Sequence, residues 1–210
     1  MQIGLIGFEG TALNLAIDLQ TQGHDVIVYD HDELTLQTIQ EQGITIATSL
    51  KTFSESMISK RVIWITVPVG ELLDQILVIL KGYLSVSDII IDSSDSFYKD
   101  TIRRSRELRD YQIDYLDCSI LYNGHDASFK PRFVIGGNRF ALNYCEPVLT
   151  DIASPDSCLY CGRSGSGHFV GMVARAVQAG TITDLQEGLS AHHNDEFTLD
   201  NEKIARFLNI

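Results

Sequence analysis

MQIGLIGFEGTA, Met1–Ala12, decides the fold. A continuous apolar run, Ile3–Ile6, stops at Gly7, and from Leu13 to Ile17 the apolar residues recur near helical period. Strand, glycine turn and helix in that order ask for a dinucleotide site. Such a turn sets backbone N–H groups and a helix N-terminus against a pyrophosphate. The spacing, Gly7-Phe8-Glu9-Gly10-Thr11-Ala12, is close to GxGxxA. Gly7 keeps the tight turn, and Ala12 is small enough for close helix–sheet packing. Glu9 stands where a small residue would let the backbone approach phosphate, and it adds both bulk and negative charge. Gly10 offers a turn shifted by one residue. The segment thus predicts the fold, while Glu9 opposes the cofactor.

Working outward, Val26–Tyr29, Val62–Val67, Ile89–Ile91 and Ile113–Leu116 are further Val/Ile-rich runs, of the kind buried on both faces of a parallel sheet. Leu34–Ile39 and Leu72–Leu80 between them repeat near helical period. The series predicts a Rossmann-like α/β fold, doubly wound and mostly parallel. Right-handed crossovers then bring the strand C-termini to one edge, where ligands bind. The second run ends in Tyr29-Asp30-His31-Asp32-Glu33. An acid there, Asp30, accepts from a ribose 2′-hydroxyl, and three acids oppose an added 2′-phosphate, so NAD is expected over NADP. Asp32 also suits the N-cap of the next helix.

Beyond residue 117, Arg132–Ile135 reads as a strand closed by Gly136-Gly137, Phe140–Leu149 as a helix, and Leu159–Cys161 as a last short strand. From Gly165 the pattern is helical to about Leu189, and Glu202–Leu208 is a short amphipathic segment. This divides the chain into a dinucleotide-binding part, 1–162, and a long helix with a helical remnant, 163–210.

Composition narrows the function. The chain has 210 residues, 44% of them hydrophobic, and a formal net charge of −12. Nucleic acid is excluded as a partner, because its binding rests on Lys and Arg displacing phosphate counterions. No apolar run approaches the roughly 20 residues that span a bilayer. The N-terminus lacks a basic start and a cleavage-like site, so a cytoplasmic location is expected. Cys158 and Cys161 have CxxC spacing, but no second ligand pair accompanies them and no metal is expected. They fall in an apparent short strand, where buried thiols are ordinary.

Taken together, IGLIGF, VIVYD, WITVPVG (Trp64–Gly70), IIIDSSDSFYKDTIRR (Ile89–Arg104), FVIGG (Phe133–Gly137) and CGRSGSGHFVGMV (Cys161–Val173) resemble 6-phosphogluconate dehydrogenase. The resemblance is to the short, NAD-type branch of the β-hydroxyacid dehydrogenases, in order from residue 1 to about 206. It implies a dinucleotide domain followed by a long helix that leads into an all-helical domain. The implied reaction is hydride transfer from a substrate carbon to nicotinamide, then decarboxylation. It also implies a cofactor edge holding Gly7, Phe8, Glu9, Gly10, Thr11, Asp30, Val67, Pro68, Val69 and Asp95, the last in place of an Asn beside the nicotinamide. In the family a Lys on the long helix is the general base, a His and an Asn follow one turn on, and a Glu seven residues after the Lys is the acid.

Here the Lys position is Gly171, the His and Asn positions are Ala174 and Arg175, and the Glu position is Gln178. A neighbouring Tyr is replaced by Ala179, and the Ser-Gly-Gly substrate turn by Leu121-Tyr122-Asn123. Gly167, His168, Val67–Gly70 and Tyr98-Lys99-Asp100 are kept. General acid–base groups contribute about 10²–10⁴-fold each in rate, so losing both removes most of the chemistry. Replacement bases could come from His168, one turn earlier, or from Asp95. The plainer roles are capping or packing for His168, and a turn or an N-cap before Phe97 for Asp95. Arg175 could hold a carboxylate or phosphate, or lie solvated. The expectation is a homologue that has lost the dehydrogenase and decarboxylase activity and binds a nucleotide or a protein. The alternative is an NAD-dependent oxidoreductase with a relocated base. The apolar side of the long helix (Phe169, Val170, Val173, Val177, Ile182, Leu185) would lack its helical cover, which predicts a homodimer or another protein partner there.

Overall fold

A computed structural model of the chain describes residues 1–7, 11–122, 131–153, 156–191 and 197–208. The elements run β1 (Gln2–Ile6), α1 (Thr11–Thr21), β2 (Asp25–Tyr29), α2 (Glu33–Glu41), β3 (Thr45–Ala47), α3 (Leu50–Glu55), β4 (Val62–Ile65), α4 (Glu71–Leu80), β5 (Ile89–Asp92), α5 (Tyr98–Arg109), β6 (Asp114–Leu121), β7 (Arg132–Gly137), α6 (Arg139–Ile152), β8 (Cys158–Gly162), α7 (Ser166–Gln178), α8 (Leu185–Ala191) and α9 (Asn201–Leu208). One sheet has the order β3-β2-β1-β4-β5-β6-β7-β8. All pairs from β3 to β6 are parallel, β7 is antiparallel to β6, and β8 is parallel to β7. The order reverses between β1 and β4, the switch point at which doubly wound sheets open a ligand crevice.

Alternate residues of the central strands feed two layers. Ile3, Leu5, Val62, Trp64, Ile89 and Ile91 pack on the side of α1 and α6. Ile63, Ile65 and Ile90 pack on the other, with Phe53, Leu73 and Leu77 of α3 and α4. The continuous apolar runs are therefore strands buried on both faces, as expected.

Four elements depart from the sequence reading. The edge strand β3 and the helix α3 are short and carry no clear period. α5 is a full helix, yet its buried face is Tyr98, Thr101, Arg104, Ser105 and Leu108, so it shows no apolar stripe. The helix expected to run from Gly165 to about Leu189 ends at Gln178. There Gly180, at φ +69°, donates to Val177 O at 3.0 Å and Thr181 N to Ala176 O at 2.9 Å. This pair of bonds is the Schellman stop, which needs a left-handed residue after the cap. Asp184 then starts α8, accepting from Gln186 N at 2.6 Å and Glu187 N at 3.1 Å.

The break changes what covers α7. α8, Phe197 and α9 fold back on it, so that Phe169, Val170, Val173 and Leu185 lie in one cluster with Leu189, Phe197, Ile204 and Leu208. Phe169 stacks on Phe197 with centroids 5.5 Å apart, and Tyr98 meets both rings edge-on. Much of the apolar face expected to be open is covered by the chain itself, with Val177 and Ile182 left half-buried. No described helix is long and apolar enough to cross a membrane.

Candidate dinucleotide edge and the α7 face

The carboxyl ends of β1, β2, β4 and β5 meet at one edge. Gly7, at φ +88°, closes β1; its N–H donates to Tyr29 O at 3.1 Å, and its carbonyl accepts from Thr66 Oγ1 at 3.0 Å. A β-carbon on Gly7 would run into the Val67 side chain and come within 2.9 Å of Thr66 O. Only glycine allows this turn, which is the physical content of the first motif position. Phe8, Glu9, Gly10 and the side chain of Thr11 lie outside the described residues, and with them the expected obstruction by Glu9. Val67 is buried under Gly7, while Pro68 and Val69 are exposed at the rim.

Asp30 directly follows β2 with its carboxylate nearly buried. Its Oδ1 accepts from Asp32 N at 2.8 Å and lies 2.9 Å from His31 Nδ1. Those contacts fix the carboxylate and leave Oδ2 for a further donor. Asp32 caps α2 as expected, accepting from Thr35 N at 3.0 Å and Thr35 Oγ1 at 2.6 Å. The hydrogen bond from the Thr35 hydroxyl, then that from its amide, holds Asp32 below the usual carboxylate range.

Behind this edge lies a buried polar network. Asp92, at the end of β5, accepts from Ser94 N at 2.9 Å, Ser94 Oγ at 2.5 Å and Tyr115 Oη at 2.5 Å. Ser94 meets Ser96 at 2.7 Å, Arg104 donates to Ser96 at 2.8 Å, and Arg104 also pairs with Asp74 at 2.8 Å. Asp117, in mid-strand on β6, accepts from Gly165 N at 2.7 Å and His168 N at 2.9 Å, so β6 caps the entry of α7. Burial raises the Asp117 carboxyl; the neighbouring His168 and those two amides pull it back in part.

His168 belongs to this scaffold. It is fully buried, with Nε2 3.1 Å from the Asp92 carbonyl and Nδ1 2.7 Å from Thr101 Oγ1. A carbonyl only accepts, so Nε2 carries a proton, while Nδ1 pairs with the threonine hydroxyl. Both nitrogens are committed, and the ring is walled off from any substrate. This burial matches the packing role expected of a histidine at a helix start more closely than that of a base open to substrate. Asp95 does not cap α5, whose N-cap is Phe97 with no side-chain bond. It is instead 68% exposed, and its Oδ1 pairs with Arg175 Nη2 of α7 at 3.0 Å. The structure thus joins two residues that the sequence left eighty positions apart.

The same helix bears on Gly171, the position where the resemblance implies a lysine. Gly171 is buried directly on β6, and a β-carbon there would overlap the hydroxyl and β-carbon of Ser119. Gly167, one turn earlier, is pressed as closely against Asp117 O and Gly136 N. α7 therefore lies too near the sheet for any side chain at 171. The Arg175 guanidinium lies 3.5 Å from where that β-carbon would be. A cation remains on this face, but an arginine stays protonated and cannot accept a proton. Ala174 is buried and Gln178 is exposed. Ser119 Oγ, buried against Gly171, has no hydrogen-bond partner.

Asp92, Asp117, Thr101 and Ser119 were not singled out from the sequence. A signal existed for two of them: Asp92 and Asp117 interrupt apolar strands, IIID and YLDCS, and a strand buried on both faces admits a carboxylate only where donors await it. The CxxC pair lies in β8 as expected. Burial pushes the Cys158 thiol up to about 11 and that of Cys161 higher still. Both therefore stay protonated thiols, which are poor nucleophiles and metal ligands.

Comparison with known proteins accords with this geometry. Residues 2–162 match the model of the NAD binding domain of 6-phosphogluconate dehydrogenase. The Bacillus subtilis protein YqeC, provisionally named a 6-phosphogluconate dehydrogenase, is 32% identical over 209 residues, covering all of this chain and 70% of YqeC. The NAD(+)-dependent, decarboxylating 6-phosphogluconate dehydrogenase of the same organism is 33% identical over 184 residues, which are 84% of this chain and 39% of that enzyme. Among solved structures, 6-phosphogluconate dehydrogenase of Plasmodium falciparum superposes with a TM-score of 0.79 at 20% identity, over 98% of this chain and 46% of that one. The chain thus spans less than half the length of these last two relatives.

Proposed function

The chain belongs to the 6-phosphogluconate dehydrogenase family, and on that footing we propose that it binds a dinucleotide but does not carry out the decarboxylating dehydrogenation after which its relatives are named. The observation that carries this reading is Gly171 pressed on Ser119, with Arg175 lying over the gap. At the lysine position there is neither a side chain to take a proton nor room for one, and the cation nearby cannot serve. Gln178 cannot return a proton as an acid would.

The residues at the strand edge fit the adenosine half of a nicotinamide dinucleotide. Gly7 leaves a turn that any β-carbon would fill, and Asp30 presents Oδ2 where a ribose hydroxyl would donate. When bound, the dinucleotide supplies a hydride acceptor. Asp30, Asp32 and Glu33 favour NAD over NADP through repulsion of a 2′-phosphate. Calorimetry with each cofactor, and absorbance at the reduced-nicotinamide band with 6-phosphogluconate, test both halves of the reading. Tighter binding of NAD and no protein-dependent reduction are expected. Turnover of 6-phosphogluconate would overturn the inactive half. If the chain bound neither cofactor while Glu9→Gly bound NAD, Glu9 would have closed the site and the binding half would fall.

The exposed pair Asp95–Arg175 favours a second reading, an oxidoreductase with its acid–base group relocated to Asp95. The guanidinium would orient an anionic substrate while the carboxylate exchanged the proton. Oxidation of a small hydroxy acid that disappears in Asp95→Asn, with NAD binding unchanged, is the result this reading requires.

A further inference from the structure

A cavity of about 500 Å³ opens on the opposite edge of the sheet, at the amino end of β6. We propose that it binds a small phosphorylated metabolite. Three arginines line it: Arg106 and Arg109 from the last turn of α5, and Arg163 from the link between β8 and α7. Among the described residues none of the three is in an ion pair, though Arg163 lies 5.7 Å from the Phe197 ring centroid; Arg61, Arg103, Arg104, Arg175 and Arg206 each have a carboxylate, and Arg132 and Arg139, also without one, lie over aromatic rings. The lining carboxylate, Asp114, is held by Asn138 Nδ2 at 2.8 Å.

In a chain of net charge −12, a concave surface with a surplus of guanidinium groups focuses a positive field. The C-terminal dipole of α5 accounts for Arg106 and Arg109 alone, but not for Arg163, which comes from another segment. Guanidinium forks match phosphate oxygens in pairs. The volume lies within the roughly 300–1,000 Å³ of small-molecule sites, so a bare phosphate would leave most of it empty. Ser105 and Ser164, hydrogen-bonded to each other at 2.8 Å, offer hydroxyls to a sugar-like body. The cavity shares no residue with the dinucleotide edge, so this proposal stands apart from the one above.

The test is calorimetry with glucose 6-phosphate, inorganic phosphate and glucose as probes. All three arginines are exposed, so truncating them leaves the fold nearly unchanged. Glucose 6-phosphate should bind, phosphate more weakly, and glucose not at all. Arg106→Ala, Arg109→Ala and Arg163→Ala should each weaken binding about tenfold or more, the usual scale of a charge-assisted hydrogen bond. Lys51→Ala, an exposed cation elsewhere, should change nothing. No heat from glucose 6-phosphate, or equal binding by the Arg106→Ala/Arg109→Ala chain, would overturn the proposal.

Discussion

At the scale of single residues, the contact of Gly171 with Ser119 fixes what this helix face can do. Helix propensity alone would favour Ala over Gly at 171 by about 1 kcal/mol. The overlap with Ser119 reverses that preference, since forcing a methyl into a filled core costs about 1–3 kcal/mol. Gly171→Ala should therefore lower the urea midpoint, and adding Ser119→Gly should restore much of the loss. The two effects must be strongly non-additive, because the residues touch. Additive midpoint shifts would mean that α7 has room to move, and the account of the missing lysine would fail. Little of this was legible in the sequence. The substitution at 171 could be seen, but its cause lies on a strand fifty-two positions earlier. The same holds for His168: the sequence offers a histidine at a helix start, and only the fold supplies Thr101 and the Asp92 carbonyl that commit both nitrogens.

At the scale of elements, the central strands were legible because burial on both faces forces an unbroken run of Val and Ile, while the short edge strand β3 was not. α5 was not, because its inward face holds a Thr, an Arg and a Ser that are satisfied by partners far along the chain. The stop of α7 was hidden for another reason: an apolar period continues across Gly180, and only the backbone reverses. The entry of α7 carries its own prediction. Asp117 anchors two amides at that entry, but burial raises its folded-state pKa above the ordinary 3.8. The folded protein then holds the proton more tightly than the unfolded chain does. Asp117 thus contributes most stability below 3.8, and the contribution is lost as pH rises through the raised value. Urea unfolding of the original chain and of Asp117→Asn, compared from about pH 4 to pH 7, isolates this term. The stability difference, original minus variant, should fall as pH rises. A difference that grew with pH would mean that the amides outweigh burial and that the carboxyl is depressed instead.

For the whole molecule, the decisive fact is that the chain closes its own second half. An apolar α7 invites the inference of a partner, since exposed patches of that kind mark interfaces. Here α8, Phe197 and α9 lie over much of that face, and Ile204 and Leu208 of α9 are buried among them. The sheet keeps two further core clusters that contain no residue of α9. Ile204→Asp should therefore dislodge α9 without melting the sheet. A buried aliphatic lost to a carboxylate with no partner costs about 2–5 kcal/mol from packing alone, and the desolvated charge adds to it. The expected outcome is a far-UV spectrum that keeps most of its sheet and helix signal, new binding of a hydrophobic dye, and a light-scattering mass that rises with concentration. The original chain should show neither dye binding nor association through α7. If Ile204→Asp stays monodisperse and dye-free, α9 is not the cover of this core. If the original chain already associates and Phe169→Ala dissolves the assembly, the apolar face is shared between copies rather than closed within one.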